Sequence, residues 1–183
     1  MTFTRFFLPL FCMGALLQVS AERQPLIREA TRPQDQNVRA SLVYDVNGDV
    51  NGDDYHGFSI TYASKIYPLD QMTLTYTHLN PEQSTMSQVM LGIEEYWPIT
   101  DTISPYGSAG GGYIWIDYDE GITGESQGWF GKLGLGILFK TGTRFDIYAE
   151  VAYQVSDDDL WVDGTSATKA NNTHAILGVR MNY

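Results

Sequence analysis

Three sets of residues have the types and spacing to do chemistry. Asp45, Asn47 and Asp49 fall two apart in DVNGDVNGDD, the spacing with which a calcium loop opens, and Asp53 adds a further oxygen. Val50 stands where such a loop needs a glycine and His56 where it needs a bidentate glutamate. The same stretch therefore also reads as a hairpin tip, since Asn-Gly pairs favour tight turns. His78 with Ser84 or Ser87 offers a base and a hydroxyl nucleophile, but no acid that would orient the imidazole is identifiable. The third set is a group of charges of both signs, Arg39, Lys132, Lys140 and Arg180 with Glu94, Asp146 and Glu150. No catalytic residue is assigned, and nothing in the chain calls for a cofactor.

The charges of the third set gain meaning from the segments that carry them. Eight segments alternate with a period of two, the pattern of a strand with one apolar face. They run Val38 to Tyr44, Tyr55 to Ile66, Gln71 to His78, Met86 to Trp97, Pro105 to Ile116, Trp129 to Lys140, Arg144 to Val155, and Thr173 to Tyr183. In the sixth, Trp129, Leu133, Leu135, Ile137 and Phe139 oppose Lys132, Gly134, Gly136 and Lys140; in the seventh, Phe145, Ile147, Ala149, Val151 and Tyr153 oppose Asp146, Glu150 and Gln154. The fifth, PYGSAGGGYIWI, is apolar or small throughout and shows no clear face. Connections alternate too: short after strands two, four and six, longer after one (Asp45 to Asp54), three (Leu79 to Thr85), five (Asp117 to Gly128) and seven (Ser156 to Asn172). That order predicts an up-and-down barrel with turns at one end and loops at the other.

Composition narrows the class. Residues 1–21 carry Arg5, an apolar run from Phe6 to Leu17 and a Val-Ser-Ala ending, which reads as a secretory signal peptide. Cys12, the sole cysteine, lies within it, so the mature chain is expected to have no disulfide or thiol chemistry. Residues 22–37 are polar, hold Pro25 and Pro33 and show no period; they read as a flexible lead before a barrel over 38–183. The net charge of -11 speaks against nucleic acid, and no later run of apolar residues is long enough for a spanning helix.

Alternation alone leaves open a soluble β protein with its apolar face inward. The glycines favour the reverse. Gly92, Gly134, Gly136 and Gly178 all fall on the polar face, where a solvent-facing strand would only be weakened. In the lumen of an eight-stranded barrel, which barely holds side chains, small residues make room. Charges enclosed there need partners, so Arg39, Glu94, Lys132, Asp146, Glu150 and Arg180 are expected to form a lumen ion-pair network. Aromatics near strand ends, among them Tyr44, Trp97, Trp115, Trp129, Phe145 and Tyr183, fit two interfacial girdles.

PYGSAGGGY (105–113) and GWFGKLGLGILFKTGTRFDIYAEVAYQ (128–154) resemble the corresponding strands of the small OmpA/OmpX-like outer-membrane β-barrels, the porin-family barrel domain. The last strand, THAILGVRMNY, resembles the closing strand of such barrels, with Gly178, Met181 and Tyr183 at the matching positions and Ile176 where a polar residue is usual. The resemblance implies an all-β, eight-stranded antiparallel up-and-down transmembrane barrel in the bacterial outer membrane. It also implies outer-membrane lipids and lipopolysaccharide as surroundings, delivery by the barrel-assembly machinery through Gly178, Met181 and Tyr183, and a monomer. Activity stays open, because the family is functionally broad. The expected role is structural or surface-interactive, with a plugged polar lumen and acidic external loops. A lipid A-modifying enzyme, since some barrels of this kind use a His and a Ser near the rim, and a narrow passive channel are the alternatives.

Overall fold

The computed structural model describes residues 36–46, 56–66, 69–80, 84–118, 125–156, 161–163, 166–168 and 171–183. The alternating segments become β1 (Gln36–Asp45), β2 (His56–Ile66), β3 (Leu69–Asn80), β4 (Ser84–Tyr96), β5 (Ile103–Tyr118), β6 (Glu125–Lys140), β7 (Phe145–Ser156) and β10 (Asn172–Asn182). Each pairs antiparallel with its sequence neighbour, and β10 closes the sheet on β1, from Asn37 opposite Asn182 to Asp45 opposite His174. The result is a closed eight-stranded barrel. Closure satisfies every edge, which is the condition for a sheet to sit in hydrocarbon.

The partners of Arg39, followed strand by strand through Thr61, Thr75, Met90, Gly112 and Phe130, end at Ser156 on β7. In the other direction they pass through Arg180 to Asp146, ten residues away on the same strand. That offset is the shear of the barrel, and it tilts the strands against the axis.

Side chains alternate between lumen and exterior along all eight strands. The exterior is apolar: Leu42 is 70% exposed and Leu135 69%, in company with Ile60, Leu74, Leu91, Ile147, Val151, Leu177 and Val179. Tyr44, Trp129, Tyr153, Phe139, Phe145 and Tyr183 stand exposed near strand ends, as two interfacial belts require. β5, ambiguous in sequence, points Tyr106, Ser108, Ile114 and Ile116 inward and Ala109, Tyr113 and Trp115 outward.

Strand boundaries differ from the sequence reading at several places, and three of the differences matter most. β1 begins at Gln36 and not Val38, because Asn37 is already an inward, buried position. The connection after β3 is short, residues 81–83, because the ladder continues to Leu79 opposite Met86, both fully buried. The connection after β7 contains a small hairpin, β8 (Trp161–Asp163) and β9 (Ser166–Thr168), paired Val162 to Ala167. Its sequence signal is Asp163-Gly164, a turn-favouring pair. The end of the barrel with residues 67–68, 97–102 and 141–144 is called the turn end below, and the opposite one the loop end.

Candidate functional site

The turn-end half of the lumen is built around Arg39. Its guanidinium grips Glu94 with two hydrogen bonds of 2.7 Å, donates 2.7 Å to Gln71 Oε1 and 3.1 Å to the Tyr96 hydroxyl, and sends Nε to Asn37 Oδ1 at 2.9 Å. Tyr96 in turn donates to Glu94 at 2.7 Å, and the Arg39 guanidinium lies 5.6 Å from the centre of the Tyr148 ring. Arg39 and Glu94 are both buried, and the planar fork of arginine is what lets one cation serve so many acceptors. Beneath it, Arg180 Nη2 meets Asp146 Oδ2 at 2.5 Å, and Asp146 also accepts from Asn182 and the Thr141 backbone N–H. Glu150 is held by hydroxyls: Tyr106 donates at 2.9 Å and Ser108 at 3.0 Å.

Of the six charges expected to form one network, the structure joins four into two pairs. Glu150 takes hydroxyl donors, and Lys132 makes no ion pair among the described residues. Both line a cavity of about 30 Å³ with Arg39, Glu94, Thr75 and Ile176, room for one or two waters.

The inward glycines have steric work here. A Cβ on Gly136 would come within 2.3 Å of the Tyr106 ring, one on Gly134 within 2.4 Å of Glu150 Oε1 and Ser108 Oγ, and one on Gly178 within 2.6 Å of Tyr148. Sequence reasoning missed Tyr106 and Tyr148, which Gly136 and Gly178 admit, and Tyr96 beside Arg39. Parity was the available signal: Tyr96 is two residues from Glu94, and Tyr148 lies midway between Asp146 and Glu150.

The loop-end half of the lumen differs from the polar filling expected. Val43, Leu79, Met86, Met90, Ile114, Ile116 and Phe130 all point inward and are buried. Across from them β7, β10 and β1 bring buried Gln154, Ser156, Asn172, His174 and Asp45. The apolar wall comes from β3 to β6, whose strands extend further toward this end than the alternating segments predicted.

The remaining candidates separate. Ser84 faces the lumen, while Ser87 and His78 face outward as cross-strand partners, with His78 Nδ1 3.3 Å from Ser87 Oγ. The Tyr76 hydroxyl lies 3.3 Å from the same oxygen. Asp45 is buried opposite His174, and Asn47, Asp49 and Asp53 lie outside the described residues. Among the described residues no three His, Cys, Asp or Glu side chains gather into a metal site. Gly178 faces the lumen, while Met181 and exposed Tyr183 face out at the turn end, where the Tyr183 N–H meets the Gln36 carbonyl.

Neither a family model nor a curated relative matches the sequence. Solved structures do. Neisserial surface protein A aligns with 82% of this chain and 98% of its own at 15% identity, TM-score 0.63. Ail, the attachment invasion locus protein of Yersinia pestis, aligns over 82% and 99% at 13% identity, TM-score 0.52. At such identity the likeness speaks to fold alone, and with the closed antiparallel sheet and its apolar exterior it leads to one conclusion: the chain has the fold of the small eight-stranded outer-membrane β-barrels.

Proposed function

We propose that this chain is an exported protein of the bacterial outer membrane whose barrel is a closed anchor, with its role in structure or surface contact. The observation that carries the reading is the filling of the lumen. Two buried ion pairs, three inward tyrosines and the inward Val43, Leu79, Met86, Ile114, Ile116 and Phe130 support it. An ion crossing such a lumen would have to part the pairs and then shed water against hydrocarbon, both expensive steps. The loops, acidic in sequence, face outward from the cell, the Gly178, Met181 and Tyr183 end engages the barrel-assembly machinery, and the barrel works as a monomer among outer-membrane lipids and lipopolysaccharide.

The test is conductance in planar bilayers, with insertion verified by the loss of compact gel mobility on boiling. An inserted barrel that conducts no more than the bare bilayer fits a closed anchor. Steady single-channel openings would favour the passive channel and sink this reading. A lipid-modifying enzyme has one observation in its favour, the His78 and Ser87 pair at 3.3 Å. Loss of lipid A acyl chains that depends on Ser87 would decide for it.

A further inference from the structure

The outward positions of β3 run Met72, Leu74, Tyr76 and then His78, so that an apolar row ends in polar atoms near the loop end. Ser87 on β4 is cross-strand to His78, and its Oγ sits 3.3 Å from both the imidazole Nδ1 and the Tyr76 hydroxyl. The Phe58 ring on β2 flanks the pair, its centroid 5.4 Å from that of His78 and 6.4 Å from that of Tyr76. Trp115 on β5 stands opposite Ser87 on the other side. Three hydrogen-bonding side chains thus form a polar notch among aromatic rings at the loop-end margin of the apolar outer face.

These groups bond one another and keep further donor and acceptor capacity toward the membrane side, which a polar occupant there can use. The notch lies level with the belt formed by Tyr113, Trp115 and Trp129, whose rings meet edge to face at 5.1 and 5.2 Å. Such belts sit where head groups begin. We propose that the notch docks the sugar ring of a glycolipid head group in the leaflet at the loop end. This rests on the outer-membrane reading and names a partner within it.

The chemistry selects a sugar over a phosphate. Among the described residues no Lys or Arg faces outward near this end, and the charged side chain nearest on β5 is the exposed acid Asp117, opposite Thr85. Phosphate is held by cationic forks and ammonium groups. Neutral hydroxyls and an imidazole beside aromatic faces instead match sugar hydroxyls and the C–H face of the ring, which packs on the rings as other apolar surface does. Acyl transfer fits less well. Among the described residues no carboxylate touches His78, and the surrounding backbone N–H groups are committed to the β2, β3 and β4 ladders, leaving none for an oxyanion.

The test uses the full-length barrel in phosphatidylcholine vesicles that contain a trace of dansyl-labelled lipid, either monoglucosyl diacylglycerol, diacylglycerol or phosphatidate. With Trp97→Phe and Trp161→Phe in place, energy transfer from Trp115 and Trp129 reports the lipid next to the notch. The glucosyl lipid should be enriched about five- to tenfold over diacylglycerol, the worth of one or two net hydrogen bonds. His78→Leu with Ser87→Val should erase the enrichment while keeping the heat-dependent gel shift, and Ser84→Ala, which faces the lumen, should change nothing. Equal transfer from all three lipids, enrichment that survives the double variant, a preference for phosphatidate, or Ser87-dependent release of fatty acid would each overturn the proposal. A wild-type chain that never enters vesicles would overturn the membrane reading along with it.

Discussion

The two halves of the lumen hold the same sheet together by opposite means. At the turn end, directional bonds hold the charges: Arg39 is bonded to four side chains, Asp146 to three donors, Glu150 to two hydroxyls. At the loop end, Leu79, Met86, Ile114, Ile116 and Phe130 form a hydrocarbon wall opposite buried Gln154, Asn172 and His174. Directional bonds make the first half intolerant of losing a partner, whereas the second is governed by volume.

The largest effect is expected where the comparison is sharpest. Removing one partner of the Arg39 and Glu94 pair, as in Arg39→Met, strands a buried charge and should cost about 3–5 kcal/mol, read from urea unfolding in vesicles. Arg39→Met with Glu94→Leu should recover most of that loss. If the double variant is as unstable as the single one, the pair matters for its shape and not its charge. In the apolar half, Ile114→Ala should cost about 2–5 kcal/mol, with no single second substitution that repairs it, because a cavity and not an orphaned charge is left behind.

Gly136→Val comes next. It drives two methyls into the Tyr106 ring and should cost about 1–3 kcal/mol, and Tyr106→Ala in the same chain should relieve the clash. Smallest is the response to salt. The unfolding midpoint of the unaltered barrel should move little between dilute buffer and 1 M salt, since buried pairs are poorly screened. A large salt-induced fall would mean that water reaches Arg39 and Glu94, and the contrast between the halves would fail.

Much of the barrel was legible in the chain. Because the side-chain period of a strand is two, one correctly phased residue assigns the facing of all the others, and Arg39, Glu94, Asp146, Glu150 and Arg180 all face the lumen as parity requires. Glycines at inward positions marked where large side chains needed space. The connection after β3 and the hairpin in the last connection were less legible, since strand ends depend on how far neighbouring ladders continue and not on local pattern.

What parity could not provide was partnership. Arg39 lies directly beside Arg180 in the sheet, so a reading by neighbouring strands would put like charges together. Arg180 meets Asp146, its register partner on neighbouring β7, but Arg39 finds its acid only in the closed barrel, reaching Glu94 on β4. Sequence by itself determined which face each residue occupies, because alternation is a local property of extended backbone. Which side chains then meet was decided by tertiary structure, since closure with a ten-residue offset sets the heights at which distant strands face one another across the lumen.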